Sequence, residues 1–361
     1  MIIYWREGGT TLKEPVWLLT TDEPGGQWSR ASILLQGLVQ SRHGLKPELF
    51  FLVPPRRTTV ALLRSMGIRF QAIGRTGTNL MGVAWRLRQA LIHTRAAVLH
   101  VWNPDNLFLT LAGIPESMQL WCEVGAWEAH PPWISWLGRC GRKVDRWFYR
   151  MSPGWQEGHL QTQMPWMMPN SEILRLMQWS ANIDCPRVLL VAGGENAARV
   201  GLWAFDIFRH AWPESRFTLS GSRQALLAGR EFVNTLGLQM VCTIDEEGDW
   251  HQANQKDISF VMVLGTEKGI ADDALGWLHT GLPVVVENSA AIADIRMRGA
   301  PLQIVSRGDR SGLASALQEL TQWSGNKRLE FLETLKASYV VDFQVERGVV
   351  IYCSLLDQLC A

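Results

Sequence analysis

Short apolar runs alternate with amphipathic stretches in the first third of the chain. Runs of strand length lie at 16–20, 49–53, 69–73 and 97–101. Stretches with apolar residues at helical spacing lie between them, at 29–40, 58–66 and 80–94. Continuous apolar strands separated by helices are typical of a parallel sheet that is covered on both faces. The pattern therefore predicts a domain built from βαβ units.

The same alternation returns in the second half of the chain. Runs of strand length lie at 187–191, 216–219, 239–242, 258–264 and 284–286. Helical spacing covers 197–210, the segment around Ala274, Leu275 and Leu278, and 312–323. Two successive α/β halves predict two Rossmann-like, doubly wound domains that face a cleft. Ligands of such sheets bind at the carboxyl ends of the strands, near the switch point of the strand order.

Proline and asparagine mark the join between the halves, at Pro165, Pro169 and Asn170. We predict an N-terminal domain over 1–168 and a C-terminal domain over 169–340. Residues 341–361 form a C-terminal segment that is expected to pack back toward the first domain.

Composition restricts the class of protein. The chain has 361 residues, of which 47% are hydrophobic and 19% charged, with a net charge of +1. This balance predicts a globular protein without a nucleic-acid partner. Apolar runs stay well below the roughly 20 residues of a membrane-spanning helix, and the first residues do not resemble a secretory signal, so a cytoplasmic location is expected. The six cysteines form no Cys-x-x-Cys pair, and no metal site is predicted.

Several short motifs follow one another in an order that is informative. They are Gly25-Gly26 after the first strand, a strand that contains His100, Val144-Asp145-Arg146, Pro169-Asn170, and Gly281-Leu282-Pro283-Val284-Val285. This order resembles the GT-B glycosyltransferases, specifically glycosyltransferase family 4, over about residues 15–357. The resemblance implies transfer of a sugar from a nucleotide-sugar donor, with retention of configuration and without metal or cofactor. It implies that the donor lies against the C-terminal domain and the acceptor against the N-terminal one.

The chain departs from the family at three landmarks. Two glutamates that the family places eight positions apart correspond to Lys268 and Gly276, with Glu267 one residue away. Two phosphate-binding cations correspond to Gly194 and Val200. The histidine of the catalytic region falls near Glu123.

The resemblance also nominates site residues. His100 and Glu123 are the candidate catalytic residues, with a hydrogen-bonded structural histidine and a carboxylate at the rim as the alternatives. Candidate donor and phosphate ligands are Gly25, Gly26, Arg199, Gly221, Glu267, Lys268 and Gly269. Arg199 is either a substitute for the missing cations or a solvated surface residue.

Two functions of different classes follow. The first is a glycosyltransferase that acts on an unknown glycan or lipid-linked acceptor. The alternative, favoured by the altered landmarks, is a catalytically silent GT-B protein that acts as a binding module or as the partner of an active enzyme. A sugar-nucleotide epimerase is less well supported, because no set of acid and base residues stands out. Arginines and tryptophans interleave over 133–150, which indicates either a peripheral membrane contact or a helix with a solvated basic face.

Overall fold

The computed structural model describes most of both halves of the chain. The described residues are 14–20, 27–41, 44–74, 80–94, 96–112, 114–115, 117–123, 144–149, 161–163, 167–168, 185–245, 258–265 and 269–360. Among them, no helix is both long and apolar enough to cross a membrane.

Elements of the first half alternate as the pattern predicts. In chain order they are β1 (Val16–Leu19), α1 (Gln27–Gln40), β2 (Glu48–Phe51), α2 (Arg57–Ser65), β3 (Phe70–Ala72), α3 (Leu80–Ile92), β4 (Val98–Val101), a 3-10 helix (Pro104–Ala112), β5 (Gln119–Glu123), β6 (Arg146–Tyr149) and β7 (Gln161–Gln163).

The second half continues the alternation and ends in three helices. Its elements are β8 (Arg187–Ala192), α4 (Glu195–Ala211), β9 (Arg216–Gly221), α5 (Arg223–Thr235), β10 (Cys242–Ile244), β11 (Phe260–Leu264), α6 (Ile270–Leu278), β12 (Val284–Glu287), α7 (Ala290–Met297), β13 (Gln303–Val305), α8 (Arg310–Thr321), α9 (Gly325–Asp342) and α10 (Val345–Cys360).

The strands form two separate parallel sheets. The first has the order β3-β2-β1-β4-β5-β6-β7 and the second the order β10-β9-β8-β11-β12-β13. Each sheet grows from its first strand toward one edge and then crosses to the other side, so the switch points lie between β1 and β4 and between β8 and β11. The prediction of two Rossmann-like, doubly wound domains is confirmed.

The last helix packs on the first sheet although it is last in the described chain. Val345, Val349 and Tyr352 of α10 belong to the same buried cluster as α1 and β1. Gly37 of α1 permits the contact, because a Cβ there would lie 2.7 Å from a methyl group of Val345. By contrast, the preceding helix α9 contributes to the core of the second sheet. The division into units at 168 and 340 stays a prediction.

The hydrophobic periodicity predicted one strand at the wrong position and did not predict several other elements. The strand predicted at 239–242 is β10, which begins only at Cys242. The residues before it turn instead, since the backbone N–H groups of Val241 and Cys242 both donate to the carbonyl of Leu238. Helices α5, α7, α9 and α10, the 3-10 helix and strands β5, β6, β7 and β13 were not predicted from periodicity.

Candidate functional site

His100 and Glu123 meet where two neighbouring strands of the first sheet end. His100 lies on β4 and Glu123 closes β5, and the two strands pair in parallel. The imidazole Nε2 is 3.9 Å from the Glu123 Oε2, and both side chains are buried. The residues that the resemblance nominated for catalysis are therefore neighbours, although this distance is too long for a direct hydrogen bond.

Aromatic rings enclose the imidazole of His100. It stacks on Trp102 with ring centroids 4.8 Å apart and on Phe148 with centroids 4.9 Å apart. Burial, with a smaller contribution from the charge of Arg30, lowers the pKa of His100 to about 3. The ring is therefore neutral at neutral pH, because removal from water penalises its charged form.

A hydrogen-bond chain sets the proton position on His100. The Trp17 indole N–H donates to the Tyr352 hydroxyl over 2.7 Å. That hydroxyl lies 3.2 Å from His100 Nδ1. Burial raises the pKa of Tyr352 well above its usual value, so the hydroxyl keeps its proton and can donate it to Nδ1. A neutral imidazole that accepts at Nδ1 carries its own proton on Nε2, which faces Glu123.

Arg30 of α1 joins this cluster to the second domain. Its Nη1 lies 3.2 Å from Glu123 Oε1, and its Nε lies 3.2 Å from Asp272 Oδ2. Asp272 belongs to the first turn of α6, where the helix dipole favours a negative charge. One buried guanidinium thus lies between a carboxylate of each domain. The sequence analysis predicted neither Arg30 nor Asp272 as a site residue. The available signal was the acidic pair Asp272-Asp273 inside an apolar helix.

The second sheet ends differently, in glycines on three adjacent strands. A Cβ on Gly221, at the end of β9, would lie 2.1 Å from the Ala192 carbonyl oxygen. A Cβ on Gly265, after β11, would lie 3.0 Å from the Gly193 backbone. Only glycine fits such close backbone approaches. As a result, the switch point between β8 and β11 presents backbone without side chains.

Helix α4 begins at this glycine edge. Gly194 is its N-cap, and no side chain caps it. The first-turn N–H groups of an uncapped helix can bind an anion. Arg199 lies one turn further on, is 45% exposed, and pairs with Glu195 over 2.8 Å.

Beside the glycine edge lies a small, open pocket. It is lined by Gly265, Ile270, Glu287, Asn288, Ser289 and Arg307. The Glu287 carboxylate accepts a hydrogen bond from the Gly308 N–H over 2.8 Å. This arrangement holds the carboxylate at the carboxyl end of β12, and the sequence reasoning did not name it.

Comparisons with known proteins are informative at the level of structure only. No protein-family model matches the sequence, and no curated protein matches it. A glycosyltransferase from Rickettsia africae has a similar structure, with a TM-score of 0.64, 11% identity, and coverage of 96% of this chain and 98% of that one. Anabaena HepE in complex with UDP and glucose also has a TM-score of 0.64, with 11% identity and coverage of 96% and 99%. Sucrose-phosphate synthase from Thermosynechococcus elongatus gives a TM-score of 0.58, with 13% identity and coverage of 96% and 99%.

The protein has the GT-B fold. In this GT-B chain the nominated donor residues divide into two groups. Gly221 lies at the glycine edge, and Gly269 is the N-cap of α6. Arg199 lies on α4 near that edge. Gly25, Gly26, Glu267 and Lys268 lie outside the described residues, as does most of the arginine- and tryptophan-rich segment at 133–150.

Two further observations bear on the altered landmarks of the GT-B chain. No atom of a described residue lies within 4 Å of a Cβ added to Gly276, so packing against the described part of the chain does not explain its small size. Across the described residues, no three His, Cys, Asp or Glu side chains are grouped so that they could hold a metal ion.

Proposed function

We propose that the protein transfers a sugar from a nucleotide-sugar donor, with the donor pyrophosphate against the carboxyl edge of the second sheet. The observation that carries the proposal is the glycine edge of Gly193, Gly221 and Gly265 together with the uncapped start of α4. A pyrophosphate needs close backbone approach and N–H donors, and both coincide at this switch point. HepE, which shares the fold, was solved with UDP and glucose.

Arg199 supplies the cation in this proposal. Its ion pair with Glu195 is largely exposed, and such pairs contribute little to stability. Rotation of the guanidinium from Glu195 to a phosphate therefore costs little. In this proposal, Glu287 and Asn288 of the neighbouring pocket bind hydroxyl groups of the donor.

His100 and Glu123 have a more restricted role in the proposed reaction. Both are almost fully buried, so a substrate reaches them only after the side chains around them move. Two described polar contacts between the domains must then separate. They are Arg30 with Asp272 and the Arg56 guanidinium with the Gly221 carbonyl, over 3.1 Å. Retention of configuration and independence of metal are proposed from the resemblance.

The alternative function is a silent GT-B protein that binds nucleotide sugars or a partner enzyme. The specific observation in its favour is the state of the candidate catalytic pair. Glu123 is engaged by Arg30, and the pKa of His100 is about 3. A general base works best with a pKa near the working pH.

Binding is tested first, by thermal shift with UDP, GDP, ADP and their glucose conjugates, followed by calorimetry on the best ligand. A ligand at about 100 times its Kd should add about 2.7 kcal/mol to the free energy of unfolding. Arg199→Ala should weaken nucleotide binding by about 1.5–3 kcal/mol, the range for a hydrogen bond to a charged group.

Arg298→Ala is the matched control for Arg199. Arg298 forms a similar pair with Asp294 over 3.0 Å and is 38% exposed. It follows the C-terminal end of α7, away from the carboxyl edge, so its replacement should leave nucleotide affinity unchanged. Equal losses in both variants would remove Arg199 from the site. No stabilisation by any nucleotide would contradict the proposed function.

Turnover separates the enzyme from the silent protein. Release of free UDP or another nucleotide from the sugar donor, measured over hours, indicates transfer to an acceptor or to water. The double variant Lys268→Glu with Gly276→Glu restores the family's carboxylates, and the open space at Gly276 accommodates the second one. A gain in donor affinity or turnover supports the transferase. Tight binding without turnover in either protein supports the silent alternative.

A further inference from the structure

Arg56 reaches from the first domain to the glycine edge of the second. It is the N-cap residue of α2, and its side chain is half-buried. The Arg56 Nη2 donates to the Gly221 carbonyl over 3.1 Å, although the two residues are 165 positions apart in the chain. A cation of the first domain therefore lies at the edge where the donor pyrophosphate is proposed.

A short and restrained loop carries Arg56. The loop follows the carboxyl end of β2, which is the neighbour of β1 in the first sheet. Pro54 and Pro55 come directly before Arg56, and each proline fixes one φ angle. Because the loop has fewer conformations to lose, holding Arg56 across the cleft costs less conformational entropy.

The Gly221 carbonyl belongs to the switch point of the second sheet. Gly221 is paired with Ala192 in the parallel register of β8 and β9. Ala192 is followed by Gly193 and then by Gly194, the N-cap of α4. Since neighbouring strands are about 4.8 Å apart, the Arg56 guanidinium lies beside the strand end from which α4 starts.

The proposed phosphate site needs more positive charge than the second domain provides. The two cations of the family that the chain resembles correspond to Gly194 and Val200, and Arg199 offers one guanidinium in their place. Both phosphates of a sugar diphosphate are negatively charged, and the Gly221 carbonyl oxygen adds a partial negative charge beside them. A guanidinium bound to that carbonyl offsets both.

We propose that Arg56 binds the donor pyrophosphate from the first domain, as a second cation beside Arg199. A guanidinium has five N–H donors in a planar fork, so it can donate to the Gly221 carbonyl and to a phosphate oxygen at once. Hydrogen bonds from a guanidinium to a phosphate are charge-assisted and roughly twice as strong as those between neutral groups. The inference rests on the proposed function, because it concerns the same phosphate site.

Calorimetry on the parent protein and on Arg56→Gln tests the inference. The titrant is whichever of UDP, GDP and ADP stabilises the parent protein most in the thermal-shift panel. Glutamine keeps an N–H donor for the Gly221 carbonyl but carries no charge. Affinity for the diphosphate should fall by about tenfold to a hundredfold, the range for one hydrogen bond to a charged group. The corresponding nucleoside, which has no phosphate, should keep its affinity.

Arg64→Gln is the matched control. Arg64 is an exposed arginine in the last turn of the same helix, about 10 Å along the axis from its start, so its replacement should leave affinity for the diphosphate unchanged. Neither arginine belongs to the buried core. Both variants should therefore fold, and circular dichroism checks this.

The outcomes separate this inference from the proposed function. If the parent protein binds the diphosphate and Arg56→Gln binds it equally well, Arg56 is not a phosphate ligand, although the proposed function stands. Equal losses in the Arg56 and Arg64 variants also overturn the inference. Equal proportional losses for diphosphate and nucleoside do so as well, because Arg56 would then act through the domain contact alone. Absence of nucleotide binding in the parent protein contradicts the proposed function and, with it, the role of Arg56.

Discussion

The two sheets share a strand order but end in opposite kinds of residue. At the carboxyl edge of the first sheet, His100, Trp102, Glu123 and Phe148 fill the space with large side chains, and Tyr352 closes it. At the same edge of the second sheet the strand ends are glycines without side chains of their own, and the Arg56 guanidinium donates to the Gly221 carbonyl over 3.1 Å. One topology thus supports a filled edge in one domain and an open edge in the other. The fold does not determine the side chains at strand ends, and this difference is why the donor is proposed at the second sheet rather than the first.

The largest effect is expected at the link between the two edges. Arg30→Met removes the guanidinium between Glu123 and Asp272, which are both buried. Loss of one partner from a buried ion pair typically costs about 3–5 kcal/mol, because buried carboxylates lose their compensating charge. Urea unfolding followed by circular dichroism measures this change. Arg298→Met, at an exposed pair, should cost less than about 1 kcal/mol. Similar costs for both variants would show that the link is not a stabilising contact.

A smaller effect is expected at the glycine edge. Gly221 has a φ of +153° and faces the Ala192 carbonyl oxygen. Gly221→Ala should therefore destabilise the protein by about 1–3 kcal/mol, since the new Cβ both strains the backbone and clashes. The midpoint of thermal unfolding provides the measurement, converted with the enthalpy of unfolding. An unchanged midpoint would show that the edge does not need a glycine at this position.

The sequence predicted the filled edge in part, for a physical reason. Motif order nominated both His100 and Glu123, and parallel strands bring their carboxyl ends together. Their contact was not itself predicted. Arg30 and Asp272 lie on helices of different domains, and no periodic pattern encodes a contact between domains. Tyr352 was missed because it follows His100 by 252 residues. Among whole elements, α5 was missed although it is amphipathic. The strands β7 and β13 have only three residues each, too few for a clear signal. Strand β6 has three aromatic residues but was missed because 133–150 was interpreted as a membrane contact or a basic helix.

Acidic pH should destabilise the folded protein, because His100 is held neutral in the folded state. The pKa of His100 is about 3 in the folded protein, against about 6.5 in the unfolded chain. Between these values the unfolded state binds more protons, so the free energy of unfolding falls as the pH falls, by about 1.4 kcal/mol per pH unit. The pKa of His279 is about 4, and it acts in the same direction above that pH.

His100→Gln should remove the contribution of His100 to the pH dependence of the unfolding free energy. The slope of unfolding free energy against pH, measured between pH 4 and about 6, should decrease by about 1.4 kcal/mol per unit relative to the parent protein. Above about pH 7 the two slopes should coincide, because histidine is neutral in both states there. An unchanged slope in the acid range would show that His100 is not held neutral.

The smallest effect on stability is expected at Gly276, whose surroundings differ from those of the glycines at the edge. Gly276 lies inside α6, and a Cβ added to it has no described residue within 4 Å. Gly276→Ala should raise the free energy of unfolding by about 0.5–1 kcal/mol through higher helix propensity. The variant belongs in the same thermal series as Gly221→Ala, and destabilisation by both would mean that the open space is filled by another part of the protein.

Helix α10 is synthesised after the rest of the first domain, and this delay affects the folding of the nascent chain. Trp17 and Tyr352 are 335 residues apart in the chain. A ribosome that adds about 5–20 residues per second delivers Tyr352 between about 15 and 70 seconds after Trp17. During that interval the indole N–H of Trp17 lacks its acceptor, and the apolar surface that α10 covers is exposed. The first domain is thus translated first but completed last, and a nascent chain arrested before α10 carries an unfinished core that chaperones would have to shield.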